Sequence, residues 1–282
     1  MSEAKPTGKQ GETKPEKGAE VKQAPDVKNV EAVFLGACVV DLTSYADRFP
    51  VPGETLIGND FVMGHGGKGA NSCVMAARMG LTCGMIAKVG SDKIGKDYLQ
   101  YLREIKINTD HVKPADARAN NATANIIVTK KVTTFVNAAP YDPSMTDEVY
   151  KLTDILCVNE TEASKLTGLK VTNMTECQAA AKALLAKGCH TVIITAGDQG
   201  ACFCTSSNQL LTQVPAERVD VEDTTGAGDA FNGAFVYHYV RHRDVPLADT
   251  IKKACDVATI TVQSPGTQLS YPERADIPES LL

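Results

Sequence analysis

The chain has 282 residues, of which 43% are hydrophobic and 22% charged, and its formal net charge is −5. A chain of this length and apolar content can bury the core of one large α/β domain or of two smaller ones. No apolar run approaches the roughly 18 residues that a membrane-spanning helix needs, which argues against a membrane partner. The acidic balance, without a basic stripe, argues against nucleic acid as the main partner.

The N-terminal segment and the cysteines indicate the setting in which the chain works. Residues 1–30 are rich in Lys, Glu, Gly, Pro and Gln, so we predict a disordered tail before a domain at 31–282. This tail has no apolar signal core, and the nine cysteines are scattered and odd in number. Scattered cysteines in odd number are typical of reduced, buried thiols. Together with the missing signal core, they predict a cytoplasmic protein.

The predicted elements begin with an apolar run at 31–41 that ends in Asp41. This run predicts a buried strand with an acid at its carboxyl end, where open α/β sheets bind ligands. Residues 54–62 have the β-branched and aromatic content of an exposed strand. Helical spacing then starts at Ala70 and stops at Gly80, a residue suited to a C-terminal cap.

The rest of the chain alternates between strand and helix patterns. Strands are predicted at 82–89, 155–158 and 191–195, and helices at 98–105, 161–166, 176–187, 230–241 and 248–262. This alternation predicts an α/β fold with a mostly parallel central sheet and helices on both faces.

Residues 223–229 read Asp-Thr-Thr-Gly-Ala-Gly-Asp and lead directly into an apolar helix. The backbone amides of Gly226, Ala227 and Gly228 at a helix start form a site for an anion. Asp229, beside them, is placed to accept the proton of a hydroxyl that attacks a bound phosphorus atom. The alternative is an acid that only complements the helix dipole.

Residues 64–71 read Gly-His-Gly-Gly-Lys-Gly-Ala-Asn and satisfy the G-x-G-x-x-G pattern of dinucleotide-binding proteins. That pattern needs an acid at the end of the following strand, whereas this strand ends at 88–90 in Lys-Val-Gly. A dinucleotide-dependent oxidoreductase is therefore a weak alternative. The segment otherwise predicts a backbone-lined floor for a polyhydroxylated ligand, with Asn71 as donor and acceptor, or a structural turn.

Two further segments follow predicted strands. Asn159 and Glu162 fit a capping box at a helix start, and they also fit oxygen ligands that position Mg²⁺ near nucleotide phosphates. Residues 195–200 form a Gly-rich turn that suits phosphate or ribose, and equally a hairpin connection. The sequence contains no Walker A, protein-kinase or zinc-hydrolase motif, so those classes are excluded.

Taken in this order, Asp41, residues 66–71, Asn159 with Glu162, and residues 223–229 resemble the ribokinase branch of the pfkB-type carbohydrate kinases. The resemblance covers nearly everything after residue 30, and Asn-Ala-Ala-Pro at 137–140 is similar to the Asn-Pro-Ala-Pro turn of the family. It implies a ribokinase-like fold with a small β lid, here near 42–64 and 118–131. It also implies ATP-dependent phosphorylation of D-ribose to ribose 5-phosphate, in a homodimer that forms through the lids and that the truncated lid of this chain weakens.

The resemblance also implies a role for individual residues. The implied ribose-binding residues are Val39, Asp41, Gly67, Lys68, Gly69, Ala70 and Asn71. Asp229 is the implied catalytic base, and the amides of Gly226, Ala227 and Gly228 are implied to stabilise the transferring phosphoryl group. The implied nucleotide-binding residues are Asn159, Thr195, Gly197, Gly200, Gly228 and Cys255. Glu162 is implied to organise Mg²⁺ through water, and K⁺ to bind at Asp223, Thr225, Thr261, Ser264, Gly266 and Ser270.

The chain departs from the family pattern in one long segment. Residues 124–131 run directly into 132–137, where the family has roughly sixty more residues, enough for a lid strand plus a strand with its crossover helices. Those residues would supply a sugar-contacting loop, half of the lid hairpin and a strand with an acidic sugar ligand. In addition, His65 replaces an apolar residue of the family, and Cys255 replaces an Asn or His.

Loss of a strand from the middle of a sheet exposes the edges of its neighbours. We predict that the remaining strands close up, with 132–136 pairing where the lost strand lay, and that catalysis is weakened. The alternative is a catalytically impaired variant that binds nucleotide but turns over weakly or not at all.

Overall fold

The computed structural model describes residues 30–48, 51, 55–115 and 133–282. Its strands are β1 (Ala32–Leu35), β2 (Val39–Tyr45), β3 (Asp60–Gly66), β4 (Cys83–Val89), β5 (Asn108–Pro114), β6 (Phe135–Asn137), β7 (Ile155–Asn159), β8 (Thr191–Thr195), β9 (Ala201–Thr205) and β10 (Thr212–Val214). Its α-helices are α1 (Lys68–Met79), α2 (Lys93–Glu104), α3 (Asp147–Lys151), α4 (Glu160–Thr167), α5 (Met174–Ala186), α6 (Ala227–Arg241) and α7 (Leu247–Thr261). The predicted tail at 1–30, apart from residue 30, and the predicted lid segment at 118–131 lie outside the described residues.

Within the described residues the strands form three sheets. The first has the order β1-β4-β5 and is parallel. The second has the order β10-β9-β8-β7-β6, in which β6, β7 and β8 are parallel and β9 and β10 are antiparallel additions. The third is the antiparallel hairpin of β2 and β3. The mostly parallel α/β architecture predicted from the alternation of elements is confirmed.

The predicted closing-up of the central sheet is wrong. In the described part of the chain, β6 pairs only with β7 and β1 pairs only with β4, so the first two sheets are not joined by hydrogen bonds. A strand of three residues offers few backbone groups for a second ladder, and β1 leaves its outer edge unpaired. The division lies beside β6, next to the place where the resemblance implies that a segment of the family is absent.

Helices, rather than strand pairing, hold the two sheets in one body. Helix α1 packs on β1 and β4, and it also packs against α6. From α6, the ring of Phe235 reaches Phe135 of β6, with ring centroids 5.2 Å apart. One apolar core therefore continues beneath both sheets, and a second core lies between the five-stranded sheet and helices α4 and α5. The opposite face of the three-stranded sheet is open, and there Val33 is 59% exposed.

Two strand predictions need correction. The run at 31–41 is divided by a turn at 36–38, and Asp41 is the third residue of β2 in the hairpin rather than the end of a buried sheet strand. The exposed strand predicted at 54–62 is shifted, since β3 spans Asp60–Gly66. In both places the apolar or β-branched composition correctly indicated a strand, but the turn that divides or shifts the strand was missed.

Candidate active site

A polar cavity of about 190 Å³ opens where β6, β7 and β8 end and where α1 and α6 begin. Its lining residues are Lys68, Asn137, Ala139, Cys157, Val158, Asn159, Glu162, Thr195, Thr224, Gly226, Gly228, Asp229 and Asn232. Residues from four of the predicted motifs therefore meet in one cavity. The carboxyl ends of parallel strands and the amino ends of helices are the positions at which α/β folds bind phosphate-containing ligands.

Asp229 lies in the first turn of α6 and is 6% exposed. Its Oδ2 accepts a hydrogen bond of 2.9 Å from Nδ2 of Asn71, a residue of α1. Burial raises the pKa of the Asp229 carboxyl, and this effect outweighs the Asn71 hydrogen bond and the charge of Lys68, which both lower it. A partly desolvated carboxylate is a stronger base than one in water, which suits proton abstraction from a hydroxyl.

The glycine turn before α6 presents amides to the same cavity. Gly226 has a φ of 82°, a left-handed conformation that glycine adopts without strain. Among the described residues, the amides of Gly226 and Gly228 donate to no acceptor, whereas the Ala227 amide donates to the Thr224 carbonyl at 3.2 Å. The predicted set of three free amides is thus reduced to two. These two, at the positive end of α6, remain available to an anion.

The predicted sugar-side residues surround the start of α1. Gly69 passes so close to Gly36 that a Cβ on Gly69 would lie 2.7 Å from the Gly36 Cα. Asp41 lies against Gly66, and Val39 is 45% exposed at the start of β2. Of the predicted set of Val39, Asp41, Gly67, Lys68, Gly69, Ala70 and Asn71, Lys68 alone lines the cavity. The side chain of Ala70 is fully buried in the apolar core.

The capping box predicted at the start of α4 is confirmed. The side-chain oxygen of Asn159 accepts from the Glu162 amide at 2.8 Å, and Oε2 of Glu162 accepts from the Asn159 amide at 2.9 Å. Both residues also line the cavity. Within the described residues the other carboxylate oxygen of Glu162 accepts no hydrogen bond, so it fits a water molecule of a hydrated Mg²⁺ ion.

The predicted nucleotide-binding residues divide into two groups. Asn159, Thr195 and Gly228 line the cavity. Gly197 and Gly200 form the turn between β8 and β9, which confirms the hairpin connection considered for this segment, and the surroundings of Gly197 are open. Cys255 lies in the core of α7 and does not line the cavity. Burial raises the pKa of its thiol to about 12, so it is a neutral packing group.

The predicted cation ligands lie on two adjacent loops, before α6 and after α7. Asp223 joins these loops, because its carboxylate accepts from the amides of Thr225 and Gly266, each at 2.8 Å. The Thr225 side chain and then the Gly266 amide are the main causes that lower the Asp223 pKa. Thr261 and Ser270 are buried, and their hydroxyls donate to the backbone carbonyls of Ala258 and Thr267. This anionic, oxygen-rich set fits a monovalent cation, whereas no cluster of His, Cys, Asp and Glu in the described residues suits a transition metal.

The profile of the pfkB family carbohydrate kinases matches residues 30–149 and 141–274 of the chain. A ribokinase from Mus musculus is 34% identical over 303 aligned positions, which cover 88% of this chain and 94% of the relative. The chain belongs to the pfkB family of carbohydrate kinases.

Other comparisons agree with this membership. A deoxyribokinase from Salmonella typhimurium is 31% identical, over 86% of this chain and 96% of its own. Among solved structures, the Arabidopsis thaliana ribokinase complexed with ribose and ATP has a TM-score of 0.75 at 21% identity, covering 86% of this chain and 96% of its own. The ribokinase-like fold predicted for this pfkB kinase is therefore confirmed.

The alignment with the murine protein also shows how many residues of that relative have no counterpart in this chain. The alignment with the murine protein has 303 positions, whereas 88% of 282 residues is about 248, so about 55 positions lack a counterpart in this chain. The expected deficit of roughly sixty residues agrees with that number. The dinucleotide alternative is not supported, because the Gly-rich segment follows β3 of an antiparallel hairpin rather than a strand of a parallel unit.

Sequence reasoning missed several residues of the site. Asn232 lines the cavity one helical turn after Asp229, and its Oδ1 is buried without a partner in the described part of the chain. Its position three residues after an identified acid on a helix could have indicated it. Gln268 and Tyr271 contact Asn71 and Gly226 from a loop far along the chain, and no local pattern predicts such contacts. His65, noted for its unusual type, stacks on Tyr101 with ring centroids 3.9 Å apart.

Proposed function

We propose that the chain transfers the γ-phosphoryl group of ATP to the 5-hydroxyl of D-ribose and so produces ribose 5-phosphate and ADP. One observation carries the proposal: a buried carboxylate, Asp229, shares a cavity with the unpaired amides of Gly226 and Gly228 and with Lys68. These are a base, an anion site and a cation, which phosphoryl transfer to an alcohol requires. The names of the murine ribokinase and of the Arabidopsis complex with ribose and ATP support the choice of substrates.

The reaction uses the protein groups in sequence. Asp229 accepts the hydroxyl proton as the sugar oxygen bonds to the γ-phosphorus, and the bond from that phosphorus to the β-γ bridging oxygen of ATP breaks. The leaving oxygen stays with ADP. The amides of Gly226 and Gly228, together with the ammonium of Lys68, face the charge on the transferring group without having to reorient. Glu162 would hold a Mg²⁺ ion through water, and the ion would supply positive charge that offsets the charge of the nucleotide phosphates.

The remaining site assignments complete the proposal. Asp41, Gly67, Gly69 and Asn71, with the backbone of Val39, form the sugar floor around Lys68. Asn159, Thr195, Gly197 and Gly200 hold the nucleotide. Asp223, Thr225, Thr261, Ser264, Gly266 and Ser270 would hold a K⁺ ion, which would help to fix the turn that carries the Gly226 and Gly228 amides.

The setting and assembly are part of the proposal. All nine cysteines are free thiols, which supports the cytoplasm as a reducing compartment. The hairpin of β2 and β3 leaves Leu42, Phe61 and Met63 largely exposed, which supports a homodimer that pairs these hairpins. Among the described residues, none of the helices combines the length and apolar character needed to cross a bilayer.

We expect the division of the central sheet to lower the affinity for the sugar rather than the rate of the chemical step. The catalytic groups lie on α1, α4, α6 and the turn before α6, all of which are ordered in the structure. The resemblance implies that the absent residues supply a sugar-contacting loop and an acidic sugar ligand in the family, so we expect a higher KM for ribose than in a full-length relative, with nucleotide binding retained.

The experiment is a coupled ADP-release assay with Mg·ATP and ribose, with and without K⁺. The parent should release ADP only when ribose is present, and Asp229→Asn should lose most of this rate, by a factor of about 10²–10⁴. Asp97→Asn serves as the matched control, because Asp97 is an exposed carboxylate on α2 that pairs with Lys93. Equal rates in the parent and in Asp229→Asn would remove the catalytic assignment.

A further inference from the structure

A chain of buried side-chain hydrogen bonds ends at Asp229. Gln268 is 3% exposed, and its Nε2 donates to Oδ1 of Asn71 at 2.7 Å. Asn71 is also 3% exposed, and its Nδ2 donates to Oδ2 of Asp229 at 2.9 Å. Gln268 Nε2 further approaches the hydroxyl of Tyr98 at 3.3 Å, and that hydroxyl donates to the Gly66 carbonyl at 2.7 Å.

The donor and acceptor of each hydrogen bond between Gln268, Asn71 and Asp229 follow from the groups that take part. A carboxylate only accepts, so Asn71 must turn its NH₂ group to Asp229 and its oxygen to Gln268. Gln268 must therefore present its own NH₂ group to Asn71. Because Tyr98 donates to Gly66, its oxygen accepts from the same NH₂ group.

This arrangement leaves the oxygen of Gln268 unsatisfied. Oε1 of Gln268 is buried and has no hydrogen-bond partner among the described residues. An unpaired buried carbonyl loses its hydrogen bonds to water without replacement, so the orientation of the amide opposes stability. The unsatisfied oxygen is explained if the NH₂ group of Gln268 is required as the donor to Asn71.

Hydrogen bonds from two directions hold the loop that carries Gln268. The guanidinium of Arg78 donates to the carbonyls of Gln268 and Tyr271. The hydroxyl of Thr267 donates to the His65 carbonyl at 3.3 Å, on the sugar side. The loop therefore cannot shift freely when a ligand enters, and Gln268 keeps its place relative to Asn71.

We propose that Gln268 is a positioning residue, which fixes the Asn71 amide so that its NH₂ group stays on the catalytic carboxylate of Asp229. It acts through Asn71 and touches neither substrate nor reacting atoms. This inference rests on the proposed function for its kinetic consequence, but its geometry can be tested without turnover.

Loss of the Gln268 donor frees Asn71 to rotate and weakens its bond to Asp229. That bond favours the ionised form of Asp229, so its loss raises the pKa of the base. The charged and titratable groups that face Asp229 from the other elements are Lys68 of α1, Glu162 of α4 and Tyr271 of the loop. Gln268→Met leaves all three in place and adds no charge, so a change in the pH profile of this variant reports on the Asn71 contact.

The kinetic test compares Gln268→Met and Gln268→Glu with the parent. Methionine fills the same volume without a donor, and glutamate keeps the shape but can only accept. We expect kcat to fall about tenfold in Gln268→Met, and further in Gln268→Glu, with the acid limb of the pH profile of kcat/KM moved to higher pH. Gln213→Met, at an exposed position of β10, is the matched control and should match the parent.

An NMR titration separates this inference from the proposed function. The side-chain ¹⁵N amide signal of Asn71, assigned by its absence in Asn71→Asp, should shift as Asp229 protonates in the parent, and should shift less in Gln268→Met. If the parent does not turn over ribose but these signals behave as described, the proposed function fails and the positioning role stands. An Asn71 signal that titrates alike in the parent and Gln268→Met, or an unchanged acid limb in both variants, would overturn the role of Gln268.

Discussion

The hydroxyl of Tyr271 donates to the carbonyl of Gly226 at 2.9 Å. Gly226 is the left-handed residue that turns the chain into α6, so this bond links the loop after α7 to the turn that carries the Gly226 and Gly228 amides. Tyr271 is 3% exposed, and the Gly226 carbonyl also accepts from the Ala230 amide at 2.9 Å, so it has one donor in α6 and one in the loop. The bond therefore fixes the direction of the peptide before α6.

The first prediction concerns this bond. Tyr271→Phe should lower kcat by about tenfold and the free energy of unfolding by about 1 kcal/mol, because the Gly226 carbonyl keeps its donor in α6 but loses the one that ties it to the loop after α7. Tyr237→Phe is the matched control, since the Tyr237 hydroxyl reaches the Leu282 carbonyl at 3.3 Å, on the far part of α6. Steady-state kinetics and thermal unfolding of both variants are the measurements. A Tyr271→Phe enzyme that is less stable but turns over at the parental rate would contradict this role.

The second prediction tests the close approach of β1 and α1. Gly69→Ala should destabilise the chain by about 1–3 kcal/mol, because the new methyl group meets the Gly36 backbone. It should also raise the KM for ribose more than that for ATP, since the sugar floor must shift. Gly64→Ala is the control, because a Cβ on Gly64 meets no atom within 4 Å. The expectation is wrong if urea unfolding gives the same midpoint for both alanine variants.

The third prediction follows from the raised pKa of Asp229. The folded chain holds this proton more tightly than the unfolded chain, so the ionised carboxylate opposes folding at any pH above the raised pKa. Asp229→Asn should therefore melt at a higher temperature than the parent near neutral pH. This difference in melting temperature should shrink as the pH falls through the raised pKa towards the ordinary value of 3.8, because residue 229 is then neutral in the parent as well as in the variant.

Thermal unfolding over a pH series measures this effect, with Asp97→Asn as the control that should follow the parent. A lower melting temperature for Asp229→Asn at neutral pH would show that the carboxylate supports the fold instead. A loss of activity together with a gain in stability is the signature of a group kept for function.

The fourth prediction tests the division of the central sheet. Val33 of β1 is 59% exposed on the open face, so Val33→Lys should change the melting temperature little and should reduce self-association, because a charge protects an open strand edge. Phe34→Lys is the contrasting variant, since Phe34 packs against the core and its replacement should unfold the chain. Light scattering and thermal unfolding are the measurements. Loss of folding in Val33→Lys would show that another element covers this face.

Much of the fold follows from local patterns. The strand at 191–195 was predicted with its observed bounds, and the helix that ends at Gly80 has the left-handed C-cap that its sequence indicates. The capping box at Asn159 and Glu162 needed only the spacing of two side chains. Patterns of this kind lie within a few residues of one another, so the sequence displays them directly.

The errors share a different physical cause. The pairing of β6 depends on which partner edge lies nearby, and the sequence of three residues cannot specify that. Asp41 was misplaced because the turn at 36–38 redirects an otherwise continuous apolar run. Gln268 and Asn71 are 197 residues apart in the chain, so their contact arises only when the loop after α7 folds back on α1.

The central claim is that Asp229 removes a proton from a ribose hydroxyl while the glycine amides hold the transferring phosphoryl group. The most direct measurement is ³¹P NMR of the products formed from Mg·ATP and ribose by the parent and by Asp229→Asn. The account predicts a ribose 5-phosphate signal from the parent and almost none from the variant within the same time. A sugar phosphate formed equally fast by both proteins, or ATP converted by the parent only to ADP and inorganic phosphate, would contradict it.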